Sequence, residues 1–166
     1  MKAQKTAYLS VSIALAMVLS FVESQIPPLV AVPGIKIGLA NIAVVFVLYR
    51  FGSKEAVLVS LIRVILVSFM FGSVLSLAYS LSGAIVSPVT MIILKKTKLF
   101  STSAVSIAGG VMHNIGQISA ACILLKTDVI KYYLPVLIVS GIIAGVAVGI
   151  ISTILINRIK FGDSRS

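Results

Sequence analysis

The chain has 166 residues, 59% of them hydrophobic and 11% charged, with a mean hydropathy of +1.17. A soluble domain of this length cannot hide that much apolar surface, so the composition points to an all-α integral membrane protein with a single membrane domain over 1–166. The net charge of +10 does not mark a nucleic-acid binder, because the basic residues sit at the ends of apolar runs with no aromatic–basic interleaving.

Lys2 and Lys5 precede a first apolar segment over 7–25. It is long and ends in Glu23-Ser24-Gln25 rather than at a small-residue cleavage site, which predicts a retained helix and not a signal peptide. Ser12, Ala16 and Ser20 recur every four residues along it, a small-residue stripe of the kind that lets another helix approach closely. The next stretch, Pro27 to Asn41, is almost wholly apolar, yet Pro27, Pro28, Pro33 and Gly34 forbid a continuous helix. A second helix over 37–50 is then only about 21 Å long at 1.5 Å per residue, short against a bilayer core of ~30 Å. We read the Pro-rich segment as the floor or lid of a cavity with Lys36 and Asn41 at its edge. The alternative is a hydrophobic loop packed on the outer surface.

A third helix over 55–71 carries Arg63 near its middle, and Phe71-Gly72-Ser73 forms a tight turn. The fourth covers 74–94, with Tyr79, Gly83 and Pro88 inside it, and stops at Lys95-Lys96-Thr97-Lys98. The fifth covers 103–125 and includes Gly109-Gly110 and His113-Asn114-Ile115-Gly116-Gln117. After a polar link, the sixth covers 132–156 with Gly141, Gly145 and Gly149 on one face, a helix-packing ridge. Lone Cys122 lies in an apolar run and supports neither a disulfide framework nor a cysteine metal site.

Six helices put both termini on one side. That side holds Lys2, Lys5, Arg50, Lys54, Lys95, Lys96, Lys98, Arg158, Lys160 and Arg165, against Lys36, Lys126 and Lys131 on the other. The positive-inside bias predicts a multi-pass protein of the cell (cytoplasmic) membrane with both termini cytoplasmic.

Helix starts give depths. Arg63 lies about 13 Å in from Lys54, near mid-bilayer, and His113 about 16 Å in, with Gln117 about one turn further out. Glu23 sits roughly 25 Å along the first helix. Lys36, Asn41, Arg63, Ser73, Tyr79, His113, Asn114 and Gln117 therefore form a candidate ligand set in the outer half of the bundle. An ionised group in hydrocarbon costs at least ~2.5–3.5 kcal/mol on insertion scales, so Arg63 needs a partner. That partner is a ligand anion or dipole, or else Glu23 or helix-end carbonyls. Glu23 is read as a loop latch toward Lys36 or as a cation ligand. The chain has only four acidic residues, Glu23, Glu55, Asp128 and Asp163, and no two are adjacent or helically paired. A magnesium–diphosphate site needs clustered carboxylates, and no Walker loop, zinc cluster or dinucleotide loop is present. The residues imply no intrinsic catalysis, no metal and no resident cofactor.

Glu23-Ser24-Gln25-Ile26-Pro27, Pro33-Gly34-Ile35-Lys36-Ile37-Gly38-Leu39-Ala40-Asn41, Arg63, Phe71-Gly72-Ser73, Tyr79-Ser80-Leu81-Ser82-Gly83 and His113-Asn114-Ile115-Gly116-Gln117 together resemble the Gx transporter family, also labelled heptaprenyl diphosphate synthase component I. That family is similar in size and helix count to the substrate-binding S components of energy-coupling-factor transporters. The resemblance implies a six-helix bundle with an outer ligand pocket beneath the first loop. It also implies a small-molecule ligand, a membrane coupling subunit docked on Ser12, Ala16 and Ser20, and a pair of ATPases that alone would use ATP. The synthase label implies at most an accessory membrane subunit of polyprenyl metabolism that helps a soluble synthase handle an isoprenoid. A third reading, from the polar cluster itself, is a subunit of quinone metabolism or of a membrane electron-transfer system binding a quinone or flavin.

Overall fold

The computed structural model describes residues 2–25, 38–72, 74–126 and 129–159. These form α1 (Lys2–Gln25), α2 (Asn41–Arg50), α3 (Ser53–Phe71), α4 (Val74–Thr97), α5 (Thr102–Leu125) and α6 (Leu134–Arg158), with a 3-10 turn at Val129–Tyr133. No strand occurs among the described residues.

The boundaries differ from the sequence reading where local chemistry overrides hydropathy. α1 begins at Lys2 because its polar first turn stays helical outside the apolar run. α2 begins at Asn41, four residues later than expected. Gly38 adopts a left-handed φ of 81°, and the Asn41 N–H bonds the Gly38 carbonyl at 2.9 Å, so a turn occupies the place of a first helical turn. α4 runs on to Thr97 and is stopped by Lys98 at φ 59°. The Ser101 hydroxyl accepts the Ala104 N–H at 3.2 Å and caps the start of α5. The 3-10 turn delays α6 to Leu134, with Pro135 in its first turn, where a missing N–H costs nothing.

Among the described residues four segments are long and apolar enough to cross a bilayer: Gln4–Glu23, Val74–Thr97, Thr102–Leu125 and Val129–Arg158. α2, at 10 residues, is about 15 Å long. α3 has the length, at 19 residues, but carries Lys54, Glu55 and Arg63. α2 belongs to the middle of the bundle, whereas α3 buries one face and exposes Leu58, Ile65, Phe69 and Met70 on the other. Ala43, Val44, Val45, Val47 and Leu48 of α2 are all buried, and so is Arg63 of α3.

The burial pattern is that of a multi-pass membrane protein. Large apolar side chains such as Val11, Val18, Phe69, Val74, Ile123 and Ile143 face outward, while Ser60, Ser80, Ser87, Ser106, Asn114, Gln117 and Ser152 are buried. In lipid, apolar surface needs no covering, and helices associate through small residues and polar contacts instead. α5 is the hub, packing most extensively on α6 and α4. A Cβ on Gly145 would lie 2.5 Å from Ile107 Cα, and one on Gly149 would lie 2.6 Å from Ser103 Cα. Gly141 likewise backs onto Gly110. The Gly141–Gly145–Gly149 ridge is thus in backbone contact with α5.

Ser12 and Ala16 do not face outward. Both are buried, and Ala16 packs on Ala40 and Ala43 beside the α2 start. The small-residue stripe expected to dock a partner instead seats α1 against its own bundle, because α2 needs a close neighbour where its entry turn comes down.

The helices alternate in direction. Lys5 of α1 forms an ion pair with Glu55 at the start of α3. The Arg50 guanidinium donates to the Ile156 and Ile159 carbonyls, and the Lys95 ammonium donates to the Leu48 carbonyl. The starts of α1 and α3 and the ends of α2, α4 and α6 therefore gather at one basic end of the bundle. The end of α5, with Lys126, lies at the other.

Candidate functional site

Five helices converge on Arg63. The residue is 8% exposed. Its Nη2 donates to Asn41 Oδ1 at 3.4 Å, a long contact for a charge-assisted bond. Its Nε–H is buried and has no hydrogen-bond partner among the described residues. Among the described residues the ion pair is Lys5–Glu55, at the basic end, and Arg63 makes none.

Glu23 explains part of this. Its carboxylate is 8% exposed and accepts the N–H of Gly38, so it ties the end of α1 to the turn that enters α2. It lies close enough for its charge to act on Arg63, but it is not in contact. The latch reading of Glu23 named Lys36 as its partner. Lys36, the Pro27–Lys36 segment and Ser73 lie outside the described residues.

Two small cavities flank the guanidinium, and Arg63 and His113 line both. The first, about 40 Å³, is also lined by Gly38, Asn41, Ser87, Ser106 and Asn114. The second, about 30 Å³, is bounded by Ser20, Ser68, Ser80 and Gln117. Sites for drug-sized ligands are about 300–1,000 Å³. Each of these instead has room for a few waters or one small head group.

The periodicity of α4 and α5 builds these walls. Ser106, Gly109, Gly110, His113, Asn114 and Gln117 follow i, i+3, i+4, i+7, i+8 and i+11 on α5, which puts them on one face. The small residues close that face toward the basic end, and the polar ones open it toward the other. On α4 the matching face is Ser80, Gly83, Ala84 and Ser87, all buried. Gly83 is needed here, because a Cβ on it would lie 2.7 Å from His113 Nδ1 and 2.8 Å from the His113 carbonyl. The imidazole lies against the bare backbone of α4, and the Ser82 hydroxyl donates to the Gly116 carbonyl one turn on, at 2.9 Å.

The structure therefore brings Asn41, Arg63, His113, Asn114 and Gln117 together. Tyr79 is half-buried and lines neither cavity, and its neighbour Ser80 takes that wall. Asn114 borders the first cavity but is engaged elsewhere. Its Nδ2 donates to the Leu137 carbonyl at 2.7 Å and to Ser140 Oγ at 3.5 Å, joining α5 to α6. Ser20, expected on a docking stripe, lines the second cavity instead. Ser87 and Ser106 were not singled out in the sequence, and Ser80 stood there only as part of the Tyr79-Ser80-Leu81-Ser82-Gly83 motif. Their spacing at i and i+7 on α4, and at i−7 from His113 on α5, was the available signal.

Among the described residues no three His, Cys, Asp or Glu side chains come together. Glu23 and Glu55 lie at opposite ends of α1, since Glu55 is held at Lys5, and so they are about 27 Å apart along the axis.

A family model described as heptaprenyl diphosphate synthase component I matches residues 12–155. The chain belongs to this family. The match takes in every described member of the Arg63 cluster as well as α2 to α5 entire. No curated protein and no solved structure matches the chain.

Proposed function

We propose that this family member is a non-catalytic, substrate-binding membrane subunit that holds a small molecule at Arg63, as an S component does for an uptake transporter. The observation that carries the reading is the buried guanidinium, its Nε–H unpaired among the described residues, beside two small cavities. An ionised group at this depth is stable only with a partner, and the described protein supplies an incomplete one. In this reading Asn41, Arg63, His113 and Gln117 contact the ligand, with Ser20 and Ser80 completing the wall. Asn114 and Glu23 position the helices around it, while Lys36 and Ser73, outside the described residues, remain candidates.

The transporter reading brings a membrane coupling subunit and an ATPase pair as partners, with ATP used only by the latter. Burial of Ser12 and Ala16 moves any docking surface away from the small-residue stripe. Six crossings with both termini cytoplasmic are supported by the alternating helix directions and by the gathering of Lys5, Arg50, Lys54, Lys95 and Arg158 at one end.

A second reading is favoured by the family's description, an accessory membrane subunit in isoprenoid or quinone metabolism. Intrinsic prenyl transfer is disfavoured by the separation of Glu23 from Glu55, because diphosphate chemistry needs carboxylates side by side around a hard cation.

Native mass spectrometry of gently extracted protein tests the main reading. A co-purifying small molecule is expected on the wild type and absent from Arg63→Lys, which keeps the charge but loses the planar fork. A stable Arg63→Lys protein with full occupancy rejects the site. Copurification with a soluble prenyl synthase and no coupling subunit selects the second reading.

A further inference from the structure

We infer that the head group recognised at Arg63 is a monoanionic carboxylate, not a diphosphate. The inference rests on the ligand-binding reading above and specifies its chemistry. The unpaired Nε–H and the loosely held Nη2–H share one edge of the guanidinium plane. Two parallel donors on a rigid plane match the two oxygens of a planar carboxylate.

Charge balance points the same way. Among the described residues lining the two cavities, Arg63 is the one fixed cation, and Glu23 already offsets part of its field. The neighbouring Ser20, Ser80 and Gln117 are neutral hydrogen-bonding groups. One guanidinium balances one negative charge. A diphosphate brings two or three, and the surplus would lie desolvated in a low-dielectric bundle, where unpaired charge is strongly penalised. Size agrees too, since cavities of about 40 and 30 Å³ admit a two-oxygen head group more readily than two linked phosphate tetrahedra.

The test is thermal unfolding of the detergent-purified full chain with sodium butyrate, butyramide or inorganic pyrophosphate at matched ionic strength. At about ten times its dissociation constant, butyrate should raise the Tm by about 3 °C, with no shift from butyramide or pyrophosphate. Arg63→Lys should abolish the butyrate shift. Gln117→Met, which alters a cavity wall and breaks no hydrogen bond, should reduce it at least threefold in apparent affinity and guards against a misfolded arginine variant. A larger Arg63-dependent shift from pyrophosphate, or an equal one from butyramide, overturns the carboxylate assignment. Absence of any Arg63-dependent shift overturns it as well. Co-purification by native mass spectrometry reads occupancy whatever the ligand class, so failure of the head-group assignment and failure of the binding role are separate results.

Discussion

The two halves of the bundle are made by the same helices and are built on opposite principles. Toward the basic end, Val47 and Leu48 of α2 pack with Val59, Met91, Val105 and Val148 into an apolar cluster, of which Met91 and Val148 also border the first cavity, and α5 and α6 touch backbone to backbone. Toward the other end, Asn41, Arg63, His113 and Gln117 meet around two cavities, with one buried donor unpaired among the described residues. The first half has its stability in shape. The second holds a guanidinium whose Nε–H has no partner among the described residues, an arrangement that leaves room for a ligand. Because membrane helices gain little from apolar burial, close contact must supply the cohesion that the polar half lacks.

That contrast breaks first at the glycine crossing. Gly145→Ala places a methyl group 2.5 Å from Ile107 Cα, and backbone cannot yield as a side chain does. The helices must separate, at a cost of about 2–3 kcal/mol. Thermal unfolding and the yield of folded protein on size exclusion should both fall. An unchanged Tm would mean that α5 and α6 do not cross this closely.

A smaller loss is expected at the boundary between the halves. Asn114→Leu removes the bonds to Leu137 and Ser140 and should cost about 1–2 kcal/mol, since the Leu137 carbonyl keeps an intrahelical donor. Ligand occupancy should survive this change at reduced affinity. Complete loss of occupancy in a folded Asn114→Leu protein would move this amide from positioning the helices to contacting the ligand.

The smallest change in stability, and the sharpest test of the polar half, is expected for Arg63→Met. With no ion pair to break among the described residues, removal of the desolvated charge should leave the protein at least as stable as the wild type, the relieved desolvation offsetting the lost Asn41 contact. Binding should be lost. A destabilisation as large as that of Gly145→Ala, reversed by adding Glu23→Gln, would show that the two charges form a structural pair despite their separation.

Much of the architecture was legible without coordinates. Apolar runs and their basic ends set the six helices and their alternation. The i, i+4 spacing of His113 and Gln117 marked a polar face. Less legible was the start of α2, where apolar residues before Asn41 read as helix but Gly38 takes a left-handed turn. The roles of neighbours also escaped the sequence. Ser80 rather than Tyr79 lines the cavity, and Ser20 faces Arg63 while Ser12 and Ala16 seat α1 in the bundle.

The reason lies in what a one-dimensional pattern encodes. Hydropathy and end charges determine that a segment is a membrane helix, and residue number along it gives depth at about 1.5 Å per step. The sequence alone thus placed Arg63 and His113 at nearly the same level. Rotation about each helix axis is another matter, because in lipid both apolar and small faces can turn outward at little cost. Contacts between helices settled it: Gly83 beside His113, Gly145 against Ile107, and the latch from Glu23 to Gly38. Those contacts turn the polar faces of α3, α4 and α5 toward one another, so that groups sharing a depth come to line the same cavities.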